Sequence, residues 1–115
     1  MRLSFIAPFV LTPALSGAAL AHSKTEENVP ADGATVAEVT EISLAFDAPM
    51  RVIAIVLLND GDEVAVERET GLDPVTAFRA VPAEPLSAGD YEFEWRGMSA
   101  DGHPMQGEFA FTVAD

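Results

Sequence analysis

Three side chains in this sequence have the types and the placement to hold a metal ion: His22, Asp101 and His103. Asp101 and His103 flank Gly102, and glycine lets a backbone turn tightly enough for residues two apart to face one centre. His22 is the only other histidine and directly follows Ala21. If the chain is cut after Ala21, His22 gains a free α-amine, and amine and ring Nδ1 then chelate one ion through a single residue. An α-amine titrates at about pH 8 and imidazole at about 6.5, so near neutrality a metal has few protons to displace. Two imidazoles, an amine and a carboxylate make three nitrogens and one oxygen without sulfur. That set suits a tetragonal Cu(II) ion, whereas Zn(II) would draw the same ligands toward a tetrahedron. Taken separately, each half has a plainer reading: Asp101-Gly102-His103 as an ordinary turn with a surface histidine, and His22 as a residue left beside a cleavage site.

The cut after Ala21 is expected from the leader. Met1-Arg2 carries one positive charge, and Leu3 to Leu15 is apolar but interrupted by Pro8 and Pro13, too short and broken to span a bilayer comfortably. Ala19 and Ala21 supply the small residues a signal peptidase accepts at the −3 and −1 places. Residues 1–21 thus read as a cleavable signal peptide and 22–115 as one exported domain. All 19 acidic residues fall in that domain, with five of the six basic ones, a formal charge of −14 (5 − 19, histidines neutral). So acidic a surface argues against nucleic acid and against anionic lipid as partners. With no cysteine, neither a disulfide nor a thiolate site is available, and the fold must rest on burial.

The elements that position these residues read as short strands. Ser23 to Val29 suggests a first edge strand, followed by the Pro30-Ala31-Asp32-Gly33 turn. Ile42, Leu44 and Phe46 alternate on one face, and Asp47-Ala48-Pro49 is expected to end that strand. Val52 to Leu58 is continuously apolar and predicts a strand buried on both faces. Asn59-Asp60-Gly61-Asp62 is a hairpin turn with Glu63 to Glu67 as its return. Thr76 to Val81, Tyr91 to Arg96 and Glu108 to Val113 complete about seven strands with no helical period. This is the pattern of an all-β antiparallel sandwich or Greek-key barrel. Trp95, Phe93, Phe46, Phe109 and Phe111 are the expected core.

The run from Pro85 through Trp95-Arg96, Ser99, Asp101 and His103-Pro104 to Gly107 closely resembles the PLxAGxYxVxWRxxSxDxHPxxG stretch of the CopC/PcoC family of periplasmic copper-binding proteins. His22, Pro30 to Gly33 and Leu44-Ala45-Phe46 match it in order and approximate spacing. The resemblance implies a small Greek-key β-barrel and Cu(II) held by His22, Asp101 and His103. It also implies a carrier or buffer in copper homeostasis or resistance, with a CopD-like inner-membrane copper transporter as partner and no catalysed reaction. Two departures stand out. Leu57 to Asp73 contains neither methionine nor histidine, so the Cu(I) loop of some members is not expected, and Met50, Met98 and Met105 are scattered and read as core or rim packing. Asp47-Ala48 stands where members often carry an acidic residue, leaving Asp47 as a group that supports the ligands at most. Two rivals remain. One is a histidine-brace copper oxidase, disfavoured because one Trp and one Tyr offer no evident substrate platform; the other is a structural sandwich whose histidines never meet.

Overall fold

The computed structural model describes residues 25–115, so the leader and His22 lie outside the described residues. Eight strands follow in order: β1 (Thr25–Val29), β2 (Ala34–Val36), β3 (Ile42–Asn59), β4 (Asp62–Val64), β5 (Val66–Arg68), β6 (Val75–Pro82), β7 (Gly89–Ser99) and β8 (Pro104–Val113). The all-β class expected from the alternating pattern is observed, with one strand more than the count suggested.

The organising element is β3, which runs through Asp47-Ala48-Pro49 instead of ending there. Its first part pairs antiparallel with β1 and β6, through Leu44↔Asn28 and Leu44↔Phe78. Its second part pairs with β7 from Met50↔Ser99 to Asn59↔Tyr91, and its tip with β4. Proline lacks the N–H a sheet ladder needs, and residues 47–49 are exposed. The proline therefore interrupts pairing without turning the chain, and the strand changes partners there. β3 thus folds one hydrogen-bonded sheet into two layers, β1-β3-β6-β5 against β2-β8-β7-β3-β4.

Between them lies one core. Ile42, Leu44, Phe46 and Phe78 from the first layer meet Leu57, Tyr91, Phe93, Trp95, Phe109 and Phe111 from the second, with no buried charged or polar side chain among the described residues. All five aromatics expected in the core are there; Phe78, fully buried, joins them. Phe46 meets Trp95 edge-on at 5.2 Å between centroids, and Tyr91 stacks on Phe111 at 5.4 Å, contacts worth about 0.5–1.5 kcal/mol each beyond the area they bury. The Tyr91 hydroxyl donates to the Ser87 carbonyl at 2.6 Å. This ties the entry of β7 to the preceding connection, as tyrosine corners do in Greek-key sandwiches.

Two local readings are corrected, and one strand, β2, is added to them. The return strand expected over Glu63 to Glu67 divides at Ala65, β4 staying with β3 while β5 joins β6. β2, too short to show periodicity, pairs parallel with β8 after Asp32 accepts the Ala110 N–H at 2.9 Å. Val52 to Leu58 is not buried on both faces: Val52 and Leu57 are buried but Ile53 is 44% exposed. A register shift between Val52 and Ala54 inserts an extra residue, and bulges turn side chains out of the pleat. Arg68 satisfies that irregular backbone, donating to the carbonyls of Val52 at 2.6 Å and Ile53 at 3.3 Å while lying over the Phe78 ring.

Candidate metal centre

Residues 100–103 connect β7 to β8, and the turn Ala100-Asp101-Gly102 within them is closed by hydrogen bonds from Gly102 N to Ser99 O and from Ser99 N to His103 O, both 2.9 Å. Gly102 has φ of 89°, a left-handed conformation that side chains disfavour. This is the three-residue hairpin in which a left-handed glycine forms a bulge. It projects Asp101 and His103 to the same side, with His103 Nδ1 2.9 Å from Asp101 Oδ1.

Ser99 organises this arrangement. Its hydroxyl donates to Asp101 Oδ1 and accepts the His103 backbone N–H at 3.1 Å. One side chain thus fixes both the carboxylate and the backbone of the histidine. The sequence reading did not single out Ser99 as a site residue; the signal was a hydroxyl two residues before an aspartate, a spacing at which Ser, Thr, Asn and Asp organise turns through side-chain to backbone bonds.

The electrostatics follow from these bonds. The Ser99 hydroxyl and then His103 hold the Asp101 carboxyl down at about 2, below its ordinary 3.8. The same carboxylate raises the His103 imidazole above its ordinary 6.5. Both side chains are exposed, 73% for His103 and 69% for Asp101, so the pair is screened and contributes little to the fold. What it does is orient. With Nδ1 held 2.9 Å from the Asp101 carboxylate, Nε2 is the ring nitrogen left open to a metal, the carboxylate–histidine arrangement that favours a metal-binding tautomer. Asp101 Oδ1 is engaged twice, and Oδ2 accepts no hydrogen bond among the described residues.

His22 lies outside the described residues, so its meeting with the loop is not observed. The described chain nevertheless begins at the same end of the sandwich. Thr25 lies opposite Phe46, and four residues on, Met50 faces Ser99. Asp47, in that exposed stretch of β3, makes no side-chain hydrogen bond or ion pair among the described residues. The scattered methionines divide: Met50 is buried at 1%, Met105 packs against the core and Met98 is 37% exposed. Trp95 and Tyr91 are both buried, so neither forms an aromatic platform on the surface. A second acidic group, Glu92, Glu94 and Glu108, gathers on the outer face of β7 and β8, where Glu108 and Glu94 raise the Glu92 carboxyl above its ordinary value.

Comparison with known proteins gives a consistent result. The CopC domain family matches residues 25–114. Copper resistance protein C of Pseudomonas syringae pv. tomato is 32% identical over 122 aligned positions, covering 97% of this chain and 96% of its own length. Copper resistance protein C of Escherichia coli is 33% identical, with 83% of each chain covered. Among solved structures, PcoC, a methionine-rich copper resistance protein from Escherichia coli, superposes with a TM-score of 0.67 at 32% identity, covering 81% of this chain and 99% of that one. CopC from Methylosinus trichosporium OB3b superposes with the same TM-score at 26% identity, covering 81% and 94%.

Proposed function

Because the chain belongs to the CopC family, we propose that it is a periplasmic Cu(II) carrier or buffer, released by cleavage after Ala21, that serves copper resistance by delivering copper to a CopD-like inner-membrane transporter and catalyses no reaction of its own. The observation that carries this reading is the exposed Asp101–His103 pair, locked by Ser99 at the end of the sandwich where the described chain begins. His22 supplies the α-amine and Nδ1, His103 supplies a third nitrogen through Nε2, and Asp101 contributes a negative charge, through Oδ2 or across the His103 ring. The carboxylate offsets part of the ion's charge, and a set of three nitrogens and one oxygen suits the tetragonal preference of Cu(II). An open, exposed loop suits cargo that must leave again, whereas a resident structural ion is ordinarily enclosed by four protein ligands.

The test is a Cu(II) titration followed by electron paramagnetic resonance on the secreted protein beginning at His22, beside the same protein with one residue added ahead of it. One tight site with a nitrogen-rich tetragonal spectrum, lost on extension, is expected. Equal, weak, multi-site binding by both proteins would remove the N-terminal chelate and leave a sandwich without a specific site.

A further inference from the structure

Resting on the carrier reading, we propose that the outer face of β3 and β7 beside the Asp101–His103 loop is the docking surface for the copper acceptor, and that it fits a protein segment presenting an apolar side chain flanked by carboxylates. Among the described residues, four large apolar side chains are exposed, and three of them, Ile53 at 44%, Leu72 at 57% and Met98 at 37%, belong to this end of the molecule. Met98 immediately precedes Ser99 and lies across from Arg51 on β3. Ile53 is the residue turned out by the β3 bulge. Leu72 is brought to it by two arginines: Arg51 donates to the Leu72 carbonyl at 2.7 Å, and Arg68 holds the Gly71 carbonyl at 3.0 Å and the Val52 carbonyl at 2.6 Å.

The charge around these residues selects the occupant. Of the described arginines, Arg79 is paired with Glu41 and Glu69, and Arg68 is committed to backbone carbonyls. Arg51 and Arg96 have no carboxylate within ion-pair distance among the described residues, and both are exposed. They bracket Met98, Arg51 across the strand pair and Arg96 two residues earlier on the same face of β7. In a chain with 19 acidic residues, these two guanidinium groups put positive charge on either side of an apolar centre next to the loop that must release copper. The Glu92, Glu94 and Glu108 group lies farther along the same face of β7 and bounds the surface on that side. Such a layout gives an interface an apolar core and uses charge to set orientation and encounter rate. An anionic bilayer is a poorer fit, because an extended negative plane meets the whole acidic surface, whereas a segment with a few carboxylates meets only the two arginines.

The experiment titrates isotope-labelled, copper-free secreted protein with a synthetic peptide carrying one Leu between Asp residues, and with the same peptide carrying Lys in their place. Amide shifts at Ile53, Leu72, Arg96 and Met98 are expected with the acidic peptide alone, weakened about tenfold in Arg96→Glu and in Met98→Ser. Copper transfer to the acidic peptide extended by a His-His pair should slow in the same variants, while their copper affinity stays unchanged. Equal response to both peptides would overturn the surface, as would shifts at these residues caused by phosphatidylglycerol vesicles or by raising the protein concentration. Because the first titration uses no metal, peptide binding without transfer counts against the carrier reading, and normal copper affinity without peptide binding counts against the surface.

Discussion

The chain turns tightly at three Asp-Gly steps, and the two that close hairpins, Asp60-Gly61 and Asp101-Gly102, are put to different use. At Asp60-Gly61 the strands close with Asn59 opposite Asp62. Both turn residues have positive φ, 55° and 88°, as the two-residue hairpin turn requires. Among the described residues the Asp60 carboxylate bonds to nothing; its role ends with the backbone. At Asp101-Gly102 only the glycine is left-handed, the loop is one residue longer, and the carboxylate is drawn into bonds with Ser99 and His103. The same dipeptide therefore becomes a metal-binding candidate only where a hydroxyl precedes it by two and an imidazole follows it.

The comparison breaks if the carboxylates prove interchangeable. Asp101→Ala should lower Cu(II) affinity about a hundredfold, since it removes a charge and the group that orients His103, while Asp60→Ala should leave affinity unchanged; competition titration against a chelator of known strength measures both. Equal losses would mean that the acidic surface, and not the loop, attracts copper. Ser99→Ala keeps all three proposed ligands and removes only their brace, so about a tenfold loss is expected. No loss would show that the ion organises the loop without help.

Much of this was open to reading in the sequence, for identifiable reasons. Phe93 and Trp95 alternate with glutamates, Phe109 and Phe111 with small or polar residues, so the facing of β7 and β8 followed from period two. The Asp60-Gly61 hairpin followed from turn chemistry. What escaped was settled by partners distant in sequence. Pro49 reads locally as a strand end, yet β3 continues because β7 waits beyond it to pair with Met50. Ile53 sits in an apolar run yet faces solvent, because the shift against β7 turns it outward and Arg68, fifteen residues later, satisfies the backbone there. At the site, Asp101 and His103 announced themselves by type, while Ser99 did not, because its contribution lies in where a hydroxyl points.

A finer contrast concerns the two turn glycines. A Cβ added at Gly61 or Gly102 would meet nothing within 4 Å, so Gly→Ala at either position isolates the cost of a left-handed backbone, about 1–2 kcal/mol. Thermal melting should show similar destabilisation for both. Copper affinity should fall only for Gly102→Ala, whose backbone sets the angle between Asp101 and His103. Loss of affinity in both would trace the effect to general loosening of the sandwich.

The smallest expected effect is on stability with pH. Asp101 is held at about 2 against an ordinary 3.8, so its contribution is complete above the ordinary carboxylate range and disappears as pH falls through about 2. His103 is raised above 6.5, so its contribution is complete below 6.5 and disappears as pH rises through the raised value. The ion pair is therefore whole between about 4 and 6.5. Both groups are exposed, and exposed pairs are worth little, so the melting temperature should move only slightly as pH leaves that window on either side. The titration itself should be plain: nuclear magnetic resonance of the His103 ring should give a pKa above 6.5 that returns to the ordinary value in Asp101→Asn and is untouched by Asp60→Asn. Since copper and the proton compete for the same imidazole, apparent copper affinity should weaken as pH is lowered through that raised value. An unshifted His103, or one insensitive to Asp101, would separate the two residues and reduce the Asp101-Gly102 turn to the status of Asp60-Gly61.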